Sequence, residues 1–152
     1  MEESLKIGLI AALAAGCMFG IIVTLEGAVA KVVGGLNASI LEHFFGGLIA
    51  FAAIGYMLIR KRVDWGATIS VLPMSAIVGV LVFTAVATIA FAIPRTGVAL
   101  GNFALVFGQL LVAVVIDTVG FGALTRVPLT PQRIIGLLVM AGGIYLVLPR
   151  NG

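Results

Sequence analysis

PRTGVALGNFALVFGQLLVAVVIDTVGFG, residues 94–122, decides how this chain is read. A proline opens the stretch and glycines punctuate it, yet no charge interrupts the apolar run between Gly97 and Ile116. Gly97, Gly101, Ala104 and Gly108 recur at helical spacing on one stripe, along which a second backbone can come close. Asn102 and Gln109, a heptad apart, place amides beside that stripe. In hydrocarbon such amides need partners from a neighbouring helix, a second subunit or a ligand. The stretch therefore reads as a membrane helix with a close-packing face and a polar flank.

The whole composition agrees. Of 152 residues, 62% are hydrophobic and 10% charged, and the mean hydropathy is +1.28. A soluble domain has roughly 45–50% apolar and about 25% charged residues, so this chain has too little polar surface for a water-soluble globule. Long uninterrupted apolar runs indicate helices, because membrane strands alternate in polarity over about ten residues. At about 20 residues per span, the length accommodates about five helices and leaves no room for a soluble domain. The fold class expected is an all-α polytopic bundle. The net charge of +3 is carried at helix ends, where orientation signals lie, so no nucleic-acid partner is expected. Cys17 is the single cysteine, which excludes an intrachain disulfide and a Cys-rich metal centre. No metal or cofactor is expected. Met1 to Lys6 leads into the first apolar run without a small-residue cleavage site, so that run is expected to stay as a helix and direct insertion.

The expected helices cover residues 7–33, 38–59, 69–93, 97–116 and 131–148, within one transmembrane domain spanning 1–152. Gly34-Gly35-Leu36-Asn37 breaks the first run, and Arg60-Lys61-Arg62 stops the second. Pro73 falls in the first turns of the third helix, and Pro94 is expected to end it. Arg95-Thr96 then leaves a tight hairpin into the fourth helix. Thr130-Pro131, a hydroxyl cap followed by proline at the first helical position, should open the fifth helix, which ends near Leu148-Pro149. Five spans put the termini on opposite sides. Lys6, Arg60, Lys61, Arg62, Arg126 and Arg133 fall on the N-terminal side, against Lys31, Arg95 and Arg150 on the other, which predicts a cytoplasmic N-terminus.

Pro94-Arg95-x-Gly97, Gly108-Gln109-Leu110, Ile116-Asp117-x-x-Gly120-Phe121-Gly122, Pro128-Leu129, Arg133, Gly136 and Gly142 resemble the second half of a YdcZ-like protein. That family comprises small bacterial inner-membrane proteins within the drug/metabolite transporter (DMT) superfamily. The match runs residue by residue over the last third of the chain, and over all of it in the order of spans. The resemblance implies a half-size transporter, equivalent to one of two inverted repeats. Its partner would be an antiparallel copy of itself or an oppositely oriented homologue. Where the family usually carries an amide near the end of helix one and a serine in helix two, this chain places Glu26 and His43.

Glu26 is the foremost candidate for chemistry. A carboxylate within a span costs about 2.5–3.5 kcal/mol to insert and is rarely idle there. It can exchange a proton against a cationic substrate, the role the related small multidrug exporters give to a glutamate in helix one. Counted from the glycine break, Glu26 falls near the midplane; counted from Leu5, it reaches the far headgroup layer and is merely solvated. Ser39-Ile40-Leu41-Glu42 has capping-box spacing, which assigns Glu42 to the start of helix two. His43 is a proton relay or a locally hydrogen-bonded interfacial side chain. Asn102 and Gln109 line a path or bridge helices. Asp117, at a helix C-terminus where the dipole disfavours an anion, calls for Arg126 or Arg133 as a clamp. Gly16-x-x-x-Gly20, Gly27, Gly46 and Gly47, with Gly97, Gly101 and Gly108, form close-packing or dimer surfaces.

The function expected is export of a small metabolite or drug-like solute by alternating access, with proton coupling, in a dimer embedded in the inner-membrane bilayer. Two alternatives stand beside it. One is a non-transporting structural or regulatory membrane subunit. The other is a flippase of a lipid-linked metabolite, which would require a pocket open laterally to lipid. No phosphate-binding loop, Ser-His-Asp set or paired-carboxylate centre indicates an enzyme.

Overall fold

The computed structural model describes residues 2–60, 63–120 and 126–148. Five helices follow one another: α1 Glu2–Val33, α2 Gly35–Ile59, α3 Trp65–Thr96, α4 Val98–Val119 and α5 Pro131–Val147. The described residues contain no strand. The protein is an all-helical membrane bundle. α1 to α4 are each long and apolar enough to cross a bilayer, whereas α5, with 17 residues, is a shorter apolar helix. The apolar part of α1, Leu5–Val33, is 29 residues long. At 1.5 Å per residue that is about 44 Å, more than the roughly 30 Å of hydrocarbon, so it must tilt or protrude.

Most large apolar side chains face outward, with Val32 at 84% and Ile59 at 83% exposure. In water such a surface would collapse on itself. In lipid it is the solvated side, and the interior is left to small residues that let helices approach.

The chain divides into two compact units, residues 1–95 and 96–152. In the first, α1 packs on α2, and the buried set is Val23, Glu26, Gly27, Ala30, Ala38, Ser39, Ala90 and Ile93. Two glycines permit this density. A Cβ on Gly27 would overlap the Ile93 side chain. One on Gly35 would lie 2.8 Å from the Phe91 nitrogen and 3.0 Å from the Ala87 carbonyl oxygen, which is α3 backbone.

The break between α1 and α2 is shorter than the four residues expected. Gly34 alone leaves the helical region, at φ 83° and ψ 155°, a conformation essentially restricted to glycine. Its N–H donates to the Ala30 carbonyl (2.9 Å) and its carbonyl accepts from Ala38 (3.0 Å), while Asn37 Nδ2 donates to Val33 O (2.9 Å). One residue thus turns the chain while its own N–H and carbonyl and the Val33 carbonyl stay hydrogen-bonded, and α2 restarts at Gly35. Ser39 is consequently inside the helix, and the expected capping box of Ser39 and Glu42 does not form. The cap is Gly34, with no side-chain hydrogen bond.

The start of α3 is set by a residue read only as connector. Asp64 Oδ1 accepts from the Ala67 N–H (3.1 Å), and the Asp64 carbonyl accepts from the Thr68 N–H (3.0 Å). The helix therefore begins at Trp65 and Pro73 lies beyond its second turn. Pro94 does not end it, although its ring removes one N–H and crowds the carbonyl four residues back; it sits inside the last turn. The helix continues to Thr96, and the terminator is Gly97, at φ 79° and ψ 161°.

In the second unit α4 packs on α5. Gly97 is the cap of α4 and lies outside the helical stripe predicted for it, whereas Gly101 is buried on the helix. A Cβ on Gly108 would meet nothing within 4 Å. Thr130 caps α5 by accepting from the Arg133 N–H, with Pro131 at the first helical position. Lys61, Arg62, Phe121, Gly122, Pro149 and Arg150, all used in the sequence reading, lie outside the described residues.

Candidate functional site

The first unit builds an acidic groove between α1 and α2. On α1 the small residues Gly27 and Ala30, with Val23, turn one face inward, and Glu26 lies on that face. Seven residues, about 10 Å of helix, separate it from Val33 at the end of α1. Only 2% of Glu26 is exposed, and its Oε1 has no hydrogen-bond partner. A buried carboxyl oxygen left unpaired is costly, so it marks a place where a proton, a ligand or a second subunit completes the bonding.

Glu42 lines the same groove from α2 and is half-buried. The walls are Ile22, Leu25 and Val29 on one helix and Leu41, Phe45 and Ile49 on the other. The volume is about 830 Å³. No lysine or arginine contributes to the lining. Among the described residues no three His, Cys, Asp or Glu side chains converge as metal ligands would.

His43 points to the other side of α2. Its Nδ1 lies 2.8 Å from the Ser39 carbonyl oxygen and 3.4 Å from Ser39 Oγ, and its ring meets Phe83 edge-on at 5.1 Å. Ser39, fully buried, donates its hydroxyl to the Phe83 carbonyl of α3 (3.1 Å). With Nδ1 donating to the carbonyl, the Nε2 of a neutral His43 is left as an acceptor. Ser39, Gly27 and Gly35 are the residues sequence reading undervalued here. The spacing of small residues points to Gly27, while Gly35 reads in sequence only as part of the break and Ser39 only as a cap.

Asn102 and Gln109 belong to the second unit and are not equivalent. Asn102 Nδ2 donates to the Val98 carbonyl of its own helix (3.0 Å), and with Phe103, Val106 and Met140 it lines a cleft of about 200 Å³. Gln109 is exposed on α4. At the far end of that helix Asp117 Oδ2 accepts from Arg133 Nη2 at 3.0 Å. The Val127 N–H donates to the Asp117 carbonyl, and Arg126 Nε donates to Thr118 O at 3.3 Å. Of the two arginines anticipated for Asp117, Arg133 makes the ion pair and Arg126 binds backbone.

A family model described as "Putative inner membrane exporter, YdcZ" matches residues 7–146. Neither a curated protein nor a solved structure matches the chain. The chain belongs to the YdcZ family: it is a multi-pass inner-membrane protein of an exporter family, and that family is not one of enzymes.

Proposed function

We propose that this YdcZ-family protein exports a small solute by alternating access, coupled to protons through Glu26. The observation that carries the reading is the buried Glu26 carboxylate, with Oε1 unpartnered, in a groove whose lining is apolar apart from Glu26 and Glu42. An acid in that position is costly unless it changes partner during the cycle. The chain acts as one transmembrane domain and as half of an inverted-repeat pair, joined to an antiparallel copy or an oppositely oriented homologue. Gly101 and Gly108 on α4 serve close packing. Asn102 and Gln109 supply polar lining, and His43 serves as relay. The N-terminus is cytoplasmic, following the positive-charge bias.

The test uses the purified chain in proteoliposomes under an imposed proton gradient, after an efflux-deficient host has been used to find a transported compound. Glu26→Gln, which keeps shape and loses the titratable proton, is expected to reduce proton-driven uptake to the protein-free background. Undiminished proton-coupled uptake by this variant would remove Glu26 from the mechanism. Tight association with an unrelated membrane protein, with no compound moved, would instead make the chain a structural subunit.

A further inference from the structure

Between residues 96 and 148 the charged side chains are Asp117, Arg126 and Arg133, and all of them gather at the end of α4, where α5 begins. Two guanidiniums stand there against one carboxylate. We propose that this end of the second unit binds the phosphodiester head group of an anionic phospholipid, with Arg126 as the residue that grips the phosphate. The site shares no residue with the Glu26 groove and does not depend on the exporter reading.

Arg126 is held in place although its side chain is exposed. Its stem lies across Gly120, where a Cβ would come 2.6 Å from Arg126 Cγ, and its Nε donates to the Thr118 carbonyl at 3.3 Å. The next residue is fixed too, because the Val127 N–H donates to the Asp117 carbonyl at 2.9 Å. Closing the end of α4 asks only for such single N–H groups. Nη1 and Nη2 of Arg126 have no acceptor among the described residues, and together they form an edge that matches two oxygens of a phosphate. Arginines at the end of a span also orient insertion, but that role needs charge without fixed geometry.

Arg133 adds to the surplus. Its Nη2 donates to Asp117 Oδ2 at 3.0 Å, while its Nη1 is buried and has no partner. That Nη1 is too enclosed to touch a ligand, so Arg133 acts through its charge. One carboxylate thus faces two permanent cations tied to adjacent residues of α4, and a second anion beside Arg126 would complete the balance.

Charge alone would admit inorganic phosphate, and the surroundings select a lipid. α4 is 22 residues long, about 33 Å, which brings its last turn to the level of the head groups. Val119, Ile134 and Ile135 follow these polar groups in sequence and are 45–65% exposed, so apolar surface for acyl chains adjoins the cations. A zwitterionic lipid is matched less well. Its ammonium would need a carboxylate, and Asp117 is already paired with Arg133.

Native mass spectrometry of the full-length protein, released from detergent, compares the first bound phosphatidylglycerol with phosphatidylcholine of the same acyl chains. Wild type is expected to prefer phosphatidylglycerol about tenfold, the size of one charge-assisted contact. Arg126→Gln, which loses the charge, should bring the two lipids to within about twofold of each other. Asp117→Asn removes the competing carboxylate and should tighten phosphatidylglycerol binding about threefold, a change in the opposite direction that decides the matter if Arg126→Gln is not monodisperse. Arg60→Gln, at the end of α2 in the first unit, should keep the wild-type preference. Equal affinity of wild type for both lipids, an unchanged preference in Arg126→Gln, an equal loss in Arg60→Gln, or weaker binding in Asp117→Asn would each overturn the proposal. So would displacement of phosphatidylglycerol by millimolar inorganic phosphate, because it would assign the site to a free anion.

Discussion

Replacing Gly35 with alanine tests how the first unit holds its buried acid. The new Cβ would lie 2.8 Å from the Phe91 nitrogen and 3.0 Å from the Ala87 carbonyl oxygen. Both are backbone atoms of α3, so no side-chain rotation relieves the overlap. Ordinary contact begins near 3.4 Å, so α2 and α3 must separate by about 0.6 Å at this crossing. A gap of that size forfeits roughly a quarter to a half of each dispersion contact it opens. The contacts at risk are those of Ala38, Ser39 and Ala90, all fully buried, together with the Ser39 to Phe83 hydrogen bond at 3.1 Å. Overpacking of this kind costs about 1–3 kcal/mol. The control is Gly55→Ala in the same helix, where a Cβ meets nothing within 4 Å. There the change should be neutral or stabilise by up to about 1 kcal/mol, the propensity gain of alanine over glycine inside a helix. Thermal unfolding in detergent, followed by Trp65 fluorescence and loss of the monodisperse peak, provides the comparison. Gly35→Ala should melt several degrees below both wild type and Gly55→Ala. Equal melting of the two variants would refute the claim that Gly35 sets the α2–α3 distance.

Two further substitutions probe the turn at Gly34 and the ion pair at the end of α4. Gly34→Ala forces a side chain into φ 83°, ψ 155°, and should cost about 1–3 kcal/mol in the same melting assay with no new steric contact, since nothing lies within 4 Å. A neutral result would mean that the turn relaxes to another conformation. Asp117→Asn removes the charge that faces Arg133; both side chains are about a third exposed, at 37% and 31%, so the loss should be no more than about 1 kcal/mol and should shrink at high salt. A large, salt-independent loss in the melt would show that the pair is less solvated than its exposure implies.

The helical membrane class, the order of the spans and the break at Gly34 were legible in sequence because each follows from local chemistry. Apolar length dictates a span, and a glycine followed by an amide marks a turn. Glu26 was legible for the same reason: an acid in an apolar run is conspicuous wherever it sits. The capping box was misread because Ser39 and Glu42 have the right spacing for a cap four residues later than the helix actually starts. Pro94 was misread as a terminator because a proline in the last turn and a proline after it look alike in one dimension.

The glycines mark the limit most clearly. Gly16, Gly20, Gly27, Gly46 and Gly47 are recommended alike by their spacing as contact points, whereas Gly35 reads in sequence only as part of the helix break. Only in three dimensions does Gly27 meet Ile93 and Gly35 meet the α3 backbone, while Gly16, Gly20, Gly46 and Gly47 have nothing within 4 Å. Glu42 follows the same rule. Its residue type and position on α2 were evident from the chain, but its place opposite Glu26 depends on how α1 and α2 cross. Composition determined the solvent this protein lives in, since hydropathy is a property summed over residues. The acidic groove was decided by tertiary structure, because it exists only where two helices, held close by small residues, bring distant carboxylates to one wall-lined space.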